Sequence, residues 1–139
     1  MKKLIASAAI ALTLATSCSQ KSKESEVPKT ILKTFNSNFK NTKVEKWDKE
    51  KDGGYEAEFD HNGIETSATF SADGKLRETE QEVEKSALPA GISDYVSKNH
   101  PGKDMQETAK ITTSEGIVMY EVEIDKKDLM FDDKGNFIK

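Results

Sequence analysis

Two pairs of glutamates carry the residue types that acid–base chemistry uses: Glu56 and Glu58 in Tyr55-Glu56-Ala57-Glu58-Phe59, and Glu121 and Glu123 in Tyr120-Glu121-Val122-Glu123-Ile124. A two-carboxylate hydrolase needs one acid and one base facing each other across the substrate. Two residues apart on a strand, the carboxylates of each pair lie on the same side of a sheet instead. On an open, wet face neither glutamate has its pKa raised, so catalysis is not expected there. What remains is a solvated face or a binding surface for a basic or polar partner. By parity Met119 shares the face of Glu121 and Glu123. Trp47 reads two ways: as an exposed aromatic anchor of that surface, or as core, because Val44 and Trp47 both face inward only across a bulge. The expected partner-binding set is Trp47, Glu56, Glu58, Met119, Glu121 and Glu123.

Other chemistries find less support. Nucleophilic catalysis needs a nucleophile, a base and an orienting group, and the candidate bases are limited to His61, in a hairpin turn, and His100, at a helix stop. No phosphate-binding glycine loop, HExxH or CxxC occurs. Asp125, Asp128, Asp132, Asp133 and Asn136 offer oxygen ligands for calcium, but not at EF-hand spacing, and turn chemistry accounts for each. A non-enzymatic binding module without cofactor or metal is therefore expected. The alternative is a small-ligand or calcium-binding envelope protein using the aspartate-rich turns.

A module used twice positions these residues. Val27-Pro28 opens a helix with Ile31, Leu32, Phe35 and Phe39 at helical spacing. Strands follow at 44–47, from Tyr55 and at 64–70, with Asn62-Gly63 as a hairpin signal and Asp73-Gly74 turning into a fourth, polar strand at 76–83. The pattern restarts at Leu88-Pro89 with a helix carrying Ile92, Tyr95 and Val96, stopped by Pro101-Gly102. Strands at 105–111 and 117–125, then Leu129-Met130-Phe131 and a short terminal strand at Phe137-Ile138, complete the second copy. Pro28 to Pro89 and Gly74 to Gly135 are each 61 positions apart, the mark of an internal duplication. The expected fold is α+β, with repeats over 27–84 and 88–139. Each is a helix plus a four-stranded antiparallel sheet, the helices covering one face of a curved sheet of about eight strands.

Before the first helix, Lys2 and Lys3 precede an apolar run from Leu4 to Ala15, a secretory signal too short to span a bilayer comfortably. Leu14-Ala15-Thr16-Ser17-Cys18 resembles a bacterial lipobox, with Ala15 where a large aliphatic residue is usual, so Cys18 is the expected lipid attachment site. Ordinary cleavage, leaving a spare thiol and a secreted soluble protein, is the other reading. A signal over 1–17 leaves 122 of 139 residues, and losing two lysines moves the net charge from −4 to −6. That acidity disfavours nucleic acid and anionic membrane faces as partners, leaving the membrane to the lipid anchor alone. Residues 18–26 read as the lipidated cysteine and a flexible polar tether, and a monomer in the periplasm is expected. Charged residues make up 33% of the chain, yet the apolar ones are periodic, which argues for a folded domain with a heavily charged surface.

A helix opened by Val-Pro or Leu-Pro, a tryptophan strand, Gly53-Gly54-Tyr55-Glu56-Ala57-Glu58-Phe59, and a phenylalanine strand ending in Asp-Gly together resemble the PepSY-like, β-lactamase-inhibitor-like (BLIP-like) family of exported bacterial proteins. The resemblance spans about Val27 to Lys139. It implies a tandem helix-plus-sheet fold like that of the β-lactamase inhibitory protein, whose curved sheet grips a partner enzyme. That inhibitor is secreted and has disulfides, whereas Cys18 is the single cysteine here. Inhibition of a lactamase is accordingly an analogy of fold only, and the partner expected is an envelope protein or peptide of unknown identity.

Overall fold

The computed structural model describes residues 20–139; the signal segment 1–17 and Cys18 lie outside the described residues. The elements run β1 (Gln20–Ser22), a 3₁₀ turn (Glu24–Glu26), α1 (Lys29–Asn38), β2 (Val44–Lys49), β3 (Tyr55–His61) and β4 (Ile64–Phe70). The series then repeats as β5 (Leu76–Glu82), a 3₁₀ turn (Lys85–Ala87), α2 (Ala90–Asn99), β6 (Thr108–Thr113), β7 (Val118–Ile124) and β8 (Lys127–Asp132). The strands form one eight-stranded sheet in chain order. Among the described residues no helix is long and apolar enough to cross a membrane.

The duplication is real, but its phase differs from the expected one. Each copy starts with a strand rather than a helix: strand, 3₁₀ turn, helix, three strands. Residues 20–26, expected as a tether, are folded from Gln20 on, and Lys21 pairs with Asp48 on β2. Such a short, lysine-bearing edge strand has no apolar period to betray it. At the other end, the fourth strand expected at Phe137-Ile138 is a single bridge, Phe131 to Phe137. Two compact units divide inside β5, between Thr79 and Glu80, rather than at the 84/88 boundary read from the repeat.

In the first unit, Pro28 precedes α1, and Ile31 and Phe35, one turn apart, are driven onto the sheet. They meet Trp47, Tyr55, Ala57, Phe59, Ala68 and Phe70, all buried. The Phe35 ring lies 5.0 Å from Phe59 and 5.7 Å from Trp47, both edge-on. A bulge between Val44 and Lys46 lets Val44 and Trp47 both turn to the helix. In the second unit Ile92 and Val96 of α2 pack on Val122, Ile124 and Phe131 in the same manner.

A glycine after the last strand of each triplet locks the helix to the sheet. Gly74 has φ +90°, and a Cβ there would stand 2.9 Å from the Thr30 Cβ. Gly135 has φ +83°, and its Cβ would stand 3.0 Å from Pro89. Only glycine combines that backbone with so close an approach.

Candidate binding face

Side-chain alternation sends Tyr55, Ala57 and Phe59 to α1 and leaves Glu56 and Glu58 on the opposite face. In the first unit, cross-strand pairing lays down one row of Lys21, Asp48, Glu56 and Thr69 and another of Lys46, Glu58 and Ser67. This face is not the open, wet surface expected from the alternation. Glu56 is 6% exposed and Asp48 3%, and Glu58 is half-buried. Flanking side chains at cross-strand spacing shield the middle of each row. The Lys46 ammonium joins two of the carboxylates: it contacts Asp48 Oδ2 and donates to Glu58 Oε1 at 2.9 Å. Burial works against that charge, but hydrogen bonds to Asp48 and Glu58 outweigh it and hold the Lys46 pKa above the ordinary lysine value.

Trp47 is not on this face. It is 3% exposed and packed in the core of the first unit, so its partner-binding reading is corrected to a structural one. The bulge in β2 is the physical reason.

In the second unit, Tyr120, Val122 and Ile124 face α2, while Met119, Glu121 and Glu123 face the other way. Pairing sets Glu121 between Ala109 and Met130, and Met119 between Ile111 and Asp132. Glu121 is 7% exposed; Met119 and Glu123 are half-buried. A cavity of about 60 Å³ opens beside Glu121, lined also by Glu80, Glu82, Gln106, Glu107, Thr108 and Ala109. Glu80 is 6% exposed. Thr108 anchors the cavity wall: its hydroxyl donates to the Val83 carbonyl at 2.6 Å, and its own carbonyl accepts the Val83 amide.

Sequence reasoning named Glu121 but not Glu80, Glu82 or Glu107, because β5 was read only as a polar strand and 105–111 only as a counterpart of the first strand, with no glutamate of either singled out. The 61-residue period was the available signal, since it aligns Glu82 with Lys21 and Glu107 with Lys46.

The remaining candidates serve turns and loops. His61 lies against the Phe39 and Phe59 rings and within 3.5 Å of the Thr42 hydroxyl; His100 lies by Tyr95. Asp132 Oδ1 accepts the Lys134 and Asn136 amides, and its Oδ2 accepts the Asn136 side chain. Hydrogen bonds from Asn136 hold the Asp132 pKa below the usual carboxylate range. Asp125 pairs with Lys103 at 2.8 Å. Among the described residues, no three acidic, cysteine or histidine side chains are grouped to hold a metal ion.

Comparison with known proteins bears on this arrangement. Among solved structures, a "putative periplasmic" protein of Bacteroides eggerthii superposes with a TM-score of 0.72 at 16% identity, covering 81% of this chain and 86% of that one. A DUF2874 family protein of Bacteroides uniformis has a TM-score of 0.72 at 15% identity, covering 81% and 87%. A BLIP-like protein of Bacteroides fragilis has 0.65 at 17%, covering 81% and 83%. At these identities the likeness is one of fold. No curated protein matches the sequence. The family model described as "Putative beta-lactamase-inhibitor-like, PepSY-like" matches residues 16–77 and again 53–139, two overlapping matches that together cover residues 16–139. The chain belongs to this PepSY-like, β-lactamase-inhibitor-like family.

Proposed function

We propose that the protein is a non-enzymatic, lipid-anchored periplasmic module that binds an envelope protein or peptide through the acidic face of its sheet. The observation that carries this reading is the group of carboxylates on the sheet face opposite α1 and α2: Asp48, Glu56 and Glu58 in one unit, Glu80, Glu121 and Glu123 in the other. A face of this kind recognises basic or polar groups by charge complementarity. Both histidines are engaged elsewhere, His61 among aromatic rings and His100 at a helix end, which favours binding over acid–base chemistry. The lipobox-like run before Cys18 supports the anchor, and the periplasmic designation of the B. eggerthii fold relative supports the compartment.

Crosslinking in cells followed by mass spectrometry identifies the partner. Capture is then repeated with Glu56→Lys/Glu58→Lys and with Glu121→Lys/Glu123→Lys, each checked for folding by circular dichroism. Loss of the partner from either charge-reversed pair is the expected result; equal recovery by wild type and both pairs refutes the assignment of this face. Intact mass of the membrane-extracted protein, with Cys18→Ala as control, tests acylation.

A further inference from the structure

We propose that one end of the first unit, formed by the start of β1 and the turns at 50–54 and 71–75, rests directly on anionic phospholipid headgroups when Cys18 is acylated. The inference depends on the lipid-anchor reading and adds which surface that anchor turns to the membrane.

The fold begins at Gln20, the first residue of β1, two positions after Cys18. Two residues of chain reach at most about 7 Å. The headgroup layer of one leaflet is about as deep, since a bilayer of roughly 40–45 Å encloses a hydrocarbon core of roughly 30 Å. Acyl chains carried by Cys18 enter that core, so the residue that bears them stands at headgroup level. No slack remains for a tether, and the first unit is drawn down to the surface with the start of β1 foremost.

Pairing identifies what else lies at that end. Gln20 is opposite Lys49 and β2 runs antiparallel to β1, so the end of β2 and the turn into β3 come down beside it. Tyr55 pairs with Phe70, which brings the turn after β4 to the same end. The two turns touch: Arg77 pairs with Asp52 at 2.6 Å, and a Cβ on Gly53 would stand 3.6 Å from that of Ala72. Charge here runs against that of the chain as a whole. Lys21, Lys49, Lys51, Lys75 and Arg77 outnumber Glu50, Asp52 and Asp73, on a chain whose net charge is −4. Asp52 and Asp73 each face a cation, Arg77 and, at 3.1 Å, Lys75, while the side chains of Lys21, Lys49 and Lys51 are exposed. A cationic end held among headgroups complements anionic phospholipid. Overall acidity gives the unanchored chain no affinity for such a surface, so the acyl chains supply the binding and the lysines set which end meets the lipid. The Asn62-Gly63 hairpin, at the other end of seven-residue strands, then stands about 20 Å further out.

The single thiol makes the test direct. The ¹⁵N-labelled mature protein is coupled through Cys18 to a maleimide phospholipid in nanodiscs of equimolar phosphatidylcholine and phosphatidylglycerol, doped with a headgroup-nitroxide lipid. Paramagnetic broadening is expected to be at least threefold greater at the Lys51 and Gly53 amides than at Gly63. Twelve glycine and serine residues inserted after Ser19 add about 20 Å of root-mean-square reach and should bring that ratio near one. Lys49→Glu/Lys51→Glu, checked for folding by circular dichroism, should lower it at least twofold. A wild-type ratio under threefold, or one that either change leaves unaltered, overturns the proposal. The mass of Cys18 in protein extracted from membranes separates the two readings. Unmodified Cys18 removes the anchor and the surface together. Acylated Cys18 with broadening spread evenly between the two ends removes the surface alone.

Discussion

Replacing Lys46 with methionine tests whether the ammonium is structurally required at its ladder position. The substitution keeps the apolar stem and removes the charge between Asp48 and Glu58. At an effective dielectric near 20, unit charges about 4 Å apart attract by roughly 4 kcal/mol. The Asp48 side chain is 4% exposed, so its carboxylate has little access to replacement water; those of Glu58 and Lys46 are 20% and 31% exposed. Solvent therefore recovers part of the loss. An exposed pair is worth at most about 1 kcal/mol, and breaking a fully buried one costs about 3–5, which places Lys46→Met near 2 kcal/mol. Urea unfolding at neutral pH reads this as a midpoint about 1 M lower at unchanged slope. The Lys46 pKa is raised in the fold, so its contribution is fully present below the unfolded value of about 10.4 and fades as pH rises through the folded one. The difference between wild type and variant should shrink accordingly in alkali. In an Asp48→Asn background the cost of Lys46→Met should fall below about 1 kcal/mol, because the buried charge it serves is gone. A single-variant cost under about 0.5 kcal/mol at neutral pH would refute the reasoning, placing the pair among surface ion pairs.

Two further outcomes follow from the turns. Gly74→Ala forces both a left-handed alanine and a clash with Thr30, and should lower stability by about 2–4 kcal/mol in a denaturant melt, whereas Gly63→Ala, with φ +84° but nothing within 4 Å, should lose only about 1–2. The Gly54 amide, then Arg77, hold the Asp52 pKa below the carboxylate range. Its contribution to stability is present above the unfolded value and lost as pH falls through the folded one. In Arg77→Ala, a carbon-detected carboxylate titration should find the Asp52 pKa moved up but still depressed, because the Gly54 hydrogen bond remains.

The elements were legible because their punctuation is covalent. Pro28 and Pro89 open the helices, Asn62 takes φ +57° in its hairpin, and Gly74 and Gly135 turn under them. Alternation correctly assigned the two faces of β3 and β7. Two things were not legible. β1 is three polar residues held by backbone pairing to β2, so its only signal was the 61-residue offset from β5. The burial of Glu56 and Glu121 depends on what stands across the ladder, such as Asp48, Thr69 and Met130, and a period of two within one strand carries no information about its neighbours. For the same reason Trp47 stayed undecided until the bulge was seen.

The two copies diverge unequally, and that inequality is informative. Several core positions exchange one apolar residue for another: Val27 becomes Leu88, Phe35 becomes Val96, and Phe70 becomes Phe131, each still buried in the core of its own unit. Such swaps keep a core filled and leave no mark on the surface. On the opposite face, Lys21 and Lys46 become Glu82 and Glu107. Packing alone does not require those changes, because lysine and glutamate stems cover similar apolar ground with their charges outward. A scaffold selected only to fold would tolerate either sign at each site independently. Reversal at two positions adjoining one cavity makes that part of the face more acidic than its counterpart in the first unit. The first unit, where Lys46 pairs with Asp48 and Glu58, is the form of the same surface in which both signs of charge alternate.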